Sequence, residues 1–259
     1  MLLIKPSQAN YNAPVSSVEF YRRPLPRHCI AFSSPEGKAL FRESLLTGHM
    51  EAYFALAAQL CTQAEPAYCG LATLVMVLNA LEMDPGRVWK GPWRWYHETM
   101  LTCCVDSSVL TEGIVMDKFV EVARCLRSNI ATVSLHIPSR FFSILIPFSI
   151  SCQTGTGHFA AIGGYHPERE LVFLFDTARF KYPSHWVPLS RLWEGMSHVD
   201  PATQQPRGYL ILTRATAVQM RPEEIKCSSL TEDSPSCPFE MNQLTEDEVR
   251  IVMVCIFVI

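Results

Sequence analysis

The feature that most constrains the fold is the stretch from Gly70 to Met83, GLATLVMVLNALEM, which is apolar on almost every face of a helix. A helix of this kind is buried on all sides, because it has no polar side to present to water. The turn-forming sequence Asp84-Pro85-Gly86 follows directly and ends it. We therefore expect a central helix enclosed by the rest of the chain.

Helical patterns surround this segment in the first half of the chain, and strand patterns occupy the second half. Apolar residues recur at helical intervals over residues 36–60, with a break near Thr47-Gly48, which predicts two helices. Residues 110–126 are also helical in pattern, whereas 157–165 and 171–175 are typical of strands. This order predicts an α+β fold, with a helical N-terminal lobe around the buried central helix and a second lobe formed by an antiparallel sheet.

Composition and charge exclude several classes of function. The chain has 259 residues, 48% hydrophobic and 18% charged, which is enough to bury a large core. A net charge of -3, without a cluster of Lys and Arg, gives no attraction to nucleic acid or to an anionic membrane. The apolar runs 141–150 and 251–259 are shorter than the ~20 residues that cross a bilayer. The N-terminus lacks a secretory signal, so we expect a cytoplasmic protein.

Cys69 is the candidate nucleophile, because it lies at the first turn of the predicted central helix. Free N–H groups and the helix dipole stabilise an anion there. Together with a neighbouring imidazolium, they lower a cysteine pKa from about 8.5 into the range of about 3.5 to 7.5. Gln63 is placed to turn its amide N–H toward the same point and, with the backbone N–H of Cys69, to stabilise an oxyanion. An isolated loop Gln is usually just exposed, and only the position before Cys69 favours the functional interpretation.

His158 and Asp176 are the candidate general base and its orienting group. His158 enters an apolar strand after Gly157, a glycine that allows close backbone approach, and Asp176 ends the apolar run LVFLF. Antiparallel pairing across Pro167-Glu168-Arg169 would bring the two together, with the second ring nitrogen of His158 facing Cys69. Singly, the three residues have ordinary explanations as a core thiol, a satisfied strand histidine and a turn former. Their combination favours a catalytic triad.

Longer stretches of the sequence resemble one known family. Residues 63–92 (QAEPAYCGLATLVMVLNALEMDPGRVWKGP) and the following WRWYHETML are similar to the catalytic region of phytochelatin synthase. The similarity continues in QTGTGHFAAIGGYH (153–166) and DTARFKYPSHWVPLSRLWEGM (176–196), and more loosely in Tyr21-Arg22-Arg23 and Arg207-Gly208-Tyr209. Long matches such as these are more specific to one family than short motifs are.

This resemblance implies a papain-like cysteine-peptidase fold. It also implies a γ-glutamylcysteine dipeptidyltransferase, which removes glycine from glutathione and passes the acyl group to another thiol peptide. Cys69, His158 and Asp176 match the triad of the family, and Gln63 matches its oxyanion-hole glutamine. The implied biological role is heavy-metal detoxification.

Substrate and metal partners are implied in the same way. Arg207 matches an arginine that holds the γ-glutamyl part of the substrate, for which a guanidinium is suited by bidentate bonding; Arg179 has a weaker claim. The partners are glutathione, phytochelatin peptides and heavy-metal ions such as Cd and Zn, which activate most simply as metal–thiolate complexes of the substrate. No organic cofactor is implied. Cys103-Cys104 and Cys125 match family cysteines, which we interpret as structural, so protein ligands for a metal stay unknown, and a homodimer is left open.

The expected organisation has three parts. Residues 1–35 form an irregular N-terminal arm, 36–214 form the catalytic domain, and 215–259 form a truncated, poorly ordered tail. The likeness to the family stops between Cys125 and Gln153, where the family has a longer segment.

Two other functions stay open at this point. Within the enzyme class, the chain is alternatively a cysteine peptidase that hydrolyses glutathione and stops after glycine is released. From a different class, it is an inactive, thiol-rich metal-binding protein, which is favoured if the altered segment between Cys125 and Gln153 disables the site. The ten cysteines of an intracellular chain are expected to remain thiols.

Overall fold

The computed structural model describes residues 23–103, 105–126, 133–135, 157–204, 207–213 and 251–257. The helices within these ranges are α1 (Pro35–Leu46), α2 (Glu51–Gln59), α3 (Cys69–Ala80), a 3-10 helix (Glu98–Cys103), α4 (Ser107–Glu112), α5 (Met116–Leu126) and α6 (Leu189–Ser197). The strands are β1 (Ile30–Ala31), β2 (Val133–Leu135), β3 (His158–His166), β4 (Leu171–Phe175), β5 (His185–Pro188), β6 (Tyr209–Thr213) and β7 (Ile251–Phe257).

All seven strands form one antiparallel sheet, in the order β1-β5-β4-β3-β7-β6-β2. The helices and this sheet make an α+β fold, as the sequence predicts. Alternate residues of β4 face opposite sides: Phe173 and Phe175 join the main core with the helices, whereas Val172 and Leu174 pack in a second cluster with α6. The sheet is therefore covered on both faces.

The central helix is α3, which the sequence predicts over residues 70–83. Each residue from Gly70 to Ala80 is buried, and α3 packs against α2 and β3. The Thr73 hydroxyl donates to the carbonyl of Phe159 at 3.3 Å, and the Asn79 amide bonds both main-chain groups of Tyr96 at 3.0 Å. These contacts satisfy the polar groups that a fully buried helix carries.

Other predicted elements are confirmed with small shifts of their bounds. The break near Thr47-Gly48 separates α1 from α2, since Gly48 adopts a φ of 76°. The predicted helix over residues 110–126 is two helices, because Gly113, at φ 95°, ends α4 before α5 begins. The hairpin β3–β4 forms as expected. Among the described residues, no helix is both long and apolar enough to cross a membrane.

Two terminal segments differ from the expected arm and tail. Ile30–Ala31, within the expected irregular arm, pairs with β5; the first 22 residues lie outside the described ranges. Ile251–Phe257, within the expected poorly ordered tail, pairs with β3 on one side and with β6 on the other. The structure thus describes 251–257 as a strand, and the division of the chain into arm, catalytic domain and tail stays a prediction. An apolar segment of this length gains main-chain hydrogen bonds on both edges when it enters the sheet.

We predict that β7 contributes to stability through its main chain. Val254 is aligned with Ala161 on one neighbour and Leu210 on the other, so Val254→Pro removes a ladder N–H from an interior strand. The free energy of unfolding should fall by about 2 kcal/mol or more. Denaturant unfolding measures this loss, and Val254→Ala, which keeps the N–H, is the matched control. Equal stability of the Pro and Ala variants would show that the strand does not pair.

Candidate active site

Three elements bring the predicted triad together. Cys69 is the first residue of α3, His158 the first of β3, and Asp176 follows the last residue of β4. The Nε2 atom of His158 lies 2.7 Å from Oδ1 of Asp176, and the thiol of Cys69 is hydrogen-bonded to His158. Because Nε2 is engaged by Asp176, Nδ1 is the ring nitrogen that faces the sulfur. The three predicted residues therefore form one hydrogen-bonded line.

The charges of these residues stabilise one another inside the protein. Burial by itself raises the pKa of the Cys69 thiol, but the hydrogen bond and charge of His158, with a bond from the Phe159 backbone, lower it overall. Burial likewise opposes the charge on His158, yet Asp176 and Cys69 raise the pKa of its ring to about 10. The Asp176 pKa is lowered despite burial, because it accepts bonds from His158 and from the Ala178 N–H at 2.7 Å. The preferred state is a thiolate paired with an imidazolium.

Two glycines give the site its close packing. Gly70 follows the nucleophile, and a Cβ added there would collide with the side chain of Ile114. The N-terminus of α3 therefore approaches the loop between α4 and α5 as only glycine allows. Gly157 adopts a φ of 140°, which also favours glycine, and it lines the cavity beside His158; its role as a substrate-binding residue stays a prediction.

Gln63 is buried and connects the nucleophile loop to the strand that carries Asp176. Its Nε2 donates to the carbonyls of Glu65 and Pro66, at 2.9 and 3.0 Å. Its Oε1 accepts from the Thr177 hydroxyl at 3.2 Å, and its backbone N–H donates to the Thr177 carbonyl at 3.0 Å. The interpretation of Gln63 as an exposed loop residue is therefore wrong. Its action as an oxyanion donor stays a prediction, since both hydrogens of Nε2 are bound to loop carbonyls here.

A cavity of about 270 Å³ opens at the sulfur and the imidazole. Its wall is formed by the nucleophile loop, the loop between α4 and α5, the start of β3 and two later loops: Pro66, Ala67, Cys69, Glu112, Gly113, Ile114, Val115, Met116, Gly157, His158, Phe159, Lys181 and Asp200. The wall thus combines apolar surface with one cation and two carboxylates away from the triad.

The two predicted substrate arginines have different positions. Arg207 is 5% exposed, and its Nε lies 3.8 Å from Oδ2 of Asp200, a residue of the cavity wall. Asp200 is held in place by the Ala202 N–H, which donates to Oδ1 at 2.8 Å. Arg179 is exposed and is not part of the cavity wall; its charge acts on Cys61, whose thiol pKa is raised mainly by burial. Neither arginine lines the cavity, but Arg207 lies next to Asp200, which does.

Sequence reasoning missed four residues of this site: Thr177, Lys181, Asp200 and Glu112. Asp200 stands in an Asp-Pro pair, which signals only a turn. Thr177 and Lys181 follow Asp176 closely in sequence, and that proximity is the one signal available for them. Glu112 is a surface residue at the end of α4, and nothing in its sequence context distinguishes it.

The described residues contain no group of three or more His, Cys, Asp and Glu that could hold a metal ion. Cys29, Cys61, Cys69 and Cys125 are free thiols, and Cys125 is exposed at the end of α5. The side chains of Cys103 and Cys104 lie outside the described part of the chain.

A thiol at a helix N-terminus, hydrogen-bonded to an imidazole that a carboxylate orients, is the arrangement of cysteine-nucleophile acyl-transfer enzymes. Comparison with known proteins narrows this class. A family model described as phytochelatin synthase matches residues 20–144 and 148–209, more than two thirds of the chain. The chain belongs to the phytochelatin synthase family. Since the match runs through 126–144 and resumes at 148, the expectation that the likeness stops between Cys125 and Gln153 is wrong.

Curated relatives carry the corresponding enzyme name. Glutathione gamma-glutamylcysteinyltransferase 3 of Lotus japonicus is 47% identical over 77% of this chain and 46% of its own length. Glutathione gamma-glutamylcysteinyltransferase 1 of Arabidopsis thaliana is 45% identical over 77% of this chain and 45% of its length. The Schizosaccharomyces pombe protein of the same name is 42% identical over 74% of this chain and 51% of its length. The chain thus spans about half the length of the curated relatives it matches.

We predict that the reactivity of Cys69 persists at neutral pH and depends on His158. Alkylation by iodoacetamide should stay fast as the pH falls to neutral and decline only below the lowered thiol pKa. His158→Gln removes the charge and hydrogen bond that offset most of the effect of burial, so the thiol pKa rises and the rate at neutral pH should fall by about tenfold or more. Peptide mapping by mass spectrometry measures both, with Cys29, whose pKa burial raises to about 11, as the unreactive internal reference. Equal alkylation of Cys69 in both proteins would contradict the ion pair.

Proposed function

We propose that this chain is a γ-glutamylcysteine dipeptidyltransferase that makes phytochelatins from glutathione through an acyl group carried on Cys69. The observation that supports it most directly is the hydrogen-bonded line Cys69–His158–Asp176 at the wall of a small cavity that combines apolar and charged side chains. Relatives named as glutathione gamma-glutamylcysteinyltransferases give the substrate class. We further propose the papain-like fold, because a nucleophile at a buried helix N-terminus packs against an antiparallel sheet that carries the histidine.

Acylation begins from the thiolate–imidazolium pair. The Cys69 sulfur attacks the carbonyl carbon of the Cys–Gly bond, and the carbonyl oxygen becomes an oxyanion. The backbone N–H of Cys69, at the start of α3, and the Gln63 amide stabilise this oxyanion. The C–N bond then breaks, and the imidazolium of His158 gives its proton to the departing amino group of glycine. The products are free glycine and a γ-Glu-Cys thioester on Cys69.

Transfer reverses the roles of the same residues. The amino group of a second glutathione or phytochelatin attacks the thioester and loses a proton to His158, now a general base. A new peptide bond forms as the bond to sulfur breaks, and the thiolate–imidazolium pair is restored. Each cycle therefore lengthens the acceptor by one γ-Glu-Cys unit and releases one glycine.

The γ-glutamyl head group fits the paired charges of Arg207 and Asp200. An α-carboxylate suits the guanidinium and an α-ammonium suits the carboxylate, so the pair 3.8 Å apart can accept both ends of one amino-acid head. Substrate binding at Arg179 is less well supported, since Arg179 is exposed, whereas Arg207 is buried beside Asp200 of the cavity wall.

Heavy-metal ions enter this proposal as part of the substrate. Cysteine thiolates are soft ligands that bind Zn and similar metals, so a metal–glutathione thiolate complex is the form delivered to the cavity. We propose the cytoplasm as the location, because glutathione keeps thiols reduced there and the proposed nucleophile acts as a thiolate. The resulting peptides would serve metal detoxification.

The direct test incubates the purified chain with glutathione and cadmium and measures products by mass spectrometry. We expect both free glycine and γ-Glu-Cys oligomers, with one glycine released for each new peptide bond. Cys69→Ser should form neither product. Glycine in excess of oligomers would favour the hydrolase. If neither product forms and cadmium binds tightly to both the wild type and Cys69→Ala, the chain is a metal-binding protein and the transferase proposal is wrong.

A second prediction separates the two arginines. Arg207→Lys keeps the charge but loses the planar fork, so the KM for glutathione should rise by about tenfold or more. Arg179→Lys, on the exposed site, should change it less than about twofold. Steady-state kinetics measures both KM values. The KM for cysteinylglycine, which lacks the γ-glutamyl head, should be the same in the wild type and in Arg207→Lys. A rise in KM for cysteinylglycine as large as for glutathione would exclude head-group binding by Arg207.

A further inference from the structure

The charges of the cavity wall outside the triad offset one another. Asp200 lies 3.8 Å from the guanidinium of Arg207, so these two opposite charges largely cancel. The other two charged residues of the wall are Lys181 and Glu112. Within the described part of the chain, neither of them forms an ion pair. Their fields therefore act on whatever enters the cavity, with opposite signs.

Glu112 lies close to the nucleophile loop although its side chain is exposed. It is the last residue of α4, and Gly113 follows it. A Cβ added at Gly113 would lie 3.6 Å from the carbonyl of Ala67, two residues before Cys69. An exposed glutamate is ionised at neutral pH. The wall thus has a negative charge beside the place where an acyl group on Cys69 would meet its acceptor.

The acceptors of the proposed reaction differ from one another in charge. Each added γ-Glu-Cys unit brings one carboxylate and no cation, because its amino group becomes part of a peptide bond. A phytochelatin is therefore more negative than glutathione, and more so as it lengthens. A wall with an uncompensated cation would attract the longer acceptors more strongly, whereas a wall with balanced charges would not.

We propose that Glu112 is a specificity-determining residue, which offsets the attraction of Lys181 for anions and so limits the preference for longer acceptors. The inference rests on the proposed function, because it concerns the acceptor of the γ-Glu-Cys group. The charges that act on the Cys69 thiol are those of His158 and Asp176. Loss of the Glu112 charge therefore alters the choice of acceptor and leaves the nucleophile unchanged.

A competition between two acceptors measures this choice directly. Glutathione and the peptide with two γ-Glu-Cys units, both carrying isotope-labelled glycine, are added at equal concentration to the chain with cadmium and an excess of unlabelled glutathione. An acceptor keeps its glycine and a donor loses it, so the label identifies the acceptor in every product. The ratio of labelled three-unit to labelled two-unit product is independent of the acylation step, because both acceptors compete for the same thioester.

Glu112→Gln should raise this ratio about two- to fivefold at low salt, the effect of one exposed charge at short range. The rise should disappear at about 1 M salt, where the Debye length is about 3 Å. Glu168→Gln is the matched control, since it changes the net charge equally at an exposed position outside the cavity wall. Its ratio should equal that of the wild type.

Three results of this competition would overturn the inference. They are an unchanged ratio in Glu112→Gln, an equal rise in Glu168→Gln, and a fall in Glu112→Gln. The fall would show that the carboxylate binds the ammonium group of the acceptor.

A binding measurement keeps the inference separate from the proposed function. A wild-type chain that forms no oligomers would contradict the transferase. In that case, protection of Cys69 from iodoacetamide gives the Kd of each peptide without turnover. Glu112→Gln should lower the Kd of the two-unit peptide relative to that of glutathione, with the alkylation rate in the absence of peptide unchanged. An equal ratio of Kd values in the wild type and in Glu112→Gln would overturn the role of Glu112.

Discussion

The hydrogen-bonded line from Cys69 through His158 to Asp176 is the interaction on which the rest of the site depends. Burial disfavours charge on the thiol and on the ring alike, and only their mutual pairing, extended by Asp176, offsets this cost. The three groups come from the start of a helix, the start of a strand and the end of the next strand. The fold must therefore fix the packing of α3 on the β3–β4 hairpin closely.

The sheet connects this line to the proposed binding site for the substrate head group. Arg207 lies just before β6, and β7 lies between β6 and β3, the strand that begins with His158. Two strand spacings, about 10 Å, thus separate the strand of the general base from the strand next to the head-group arginine. The pairing of β7 on both sides holds this separation, which links a segment distant in sequence to the geometry of catalysis.

Local sequence patterns predicted α3 and the β3–β4 hairpin, because each depends on neighbours in sequence. The meeting of Cys69 with this hairpin is long-range, and its prediction came from the combination of residue types and from the family resemblance. The apolar helix had to be buried, and the short connection after His166 required the two strands to pair. The place of β7 between β3 and β6, and the meeting of Asp200, Lys181 and Glu112 at one cavity, depend on long-range pairing that periodicity does not encode. The hydrogen-bond partners of the Gln63 amide were also beyond prediction from local patterns, since Gln63 meets Thr177 only in the folded chain.

The central claim, that Cys69 carries an acyl group derived from the substrate, is tested most directly by trapping that intermediate. The protein is mixed with glutathione, quenched in acid within the first turnover and analysed by intact-mass and peptide mass spectrometry. The predicted result is a γ-Glu-Cys adduct on the Cys69 peptide. The adduct should be absent from Cys69→Ser, and hydroxylamine should remove it, because hydroxylamine cleaves thioesters. An unmodified Cys69 in a protein that still releases glycine would contradict it.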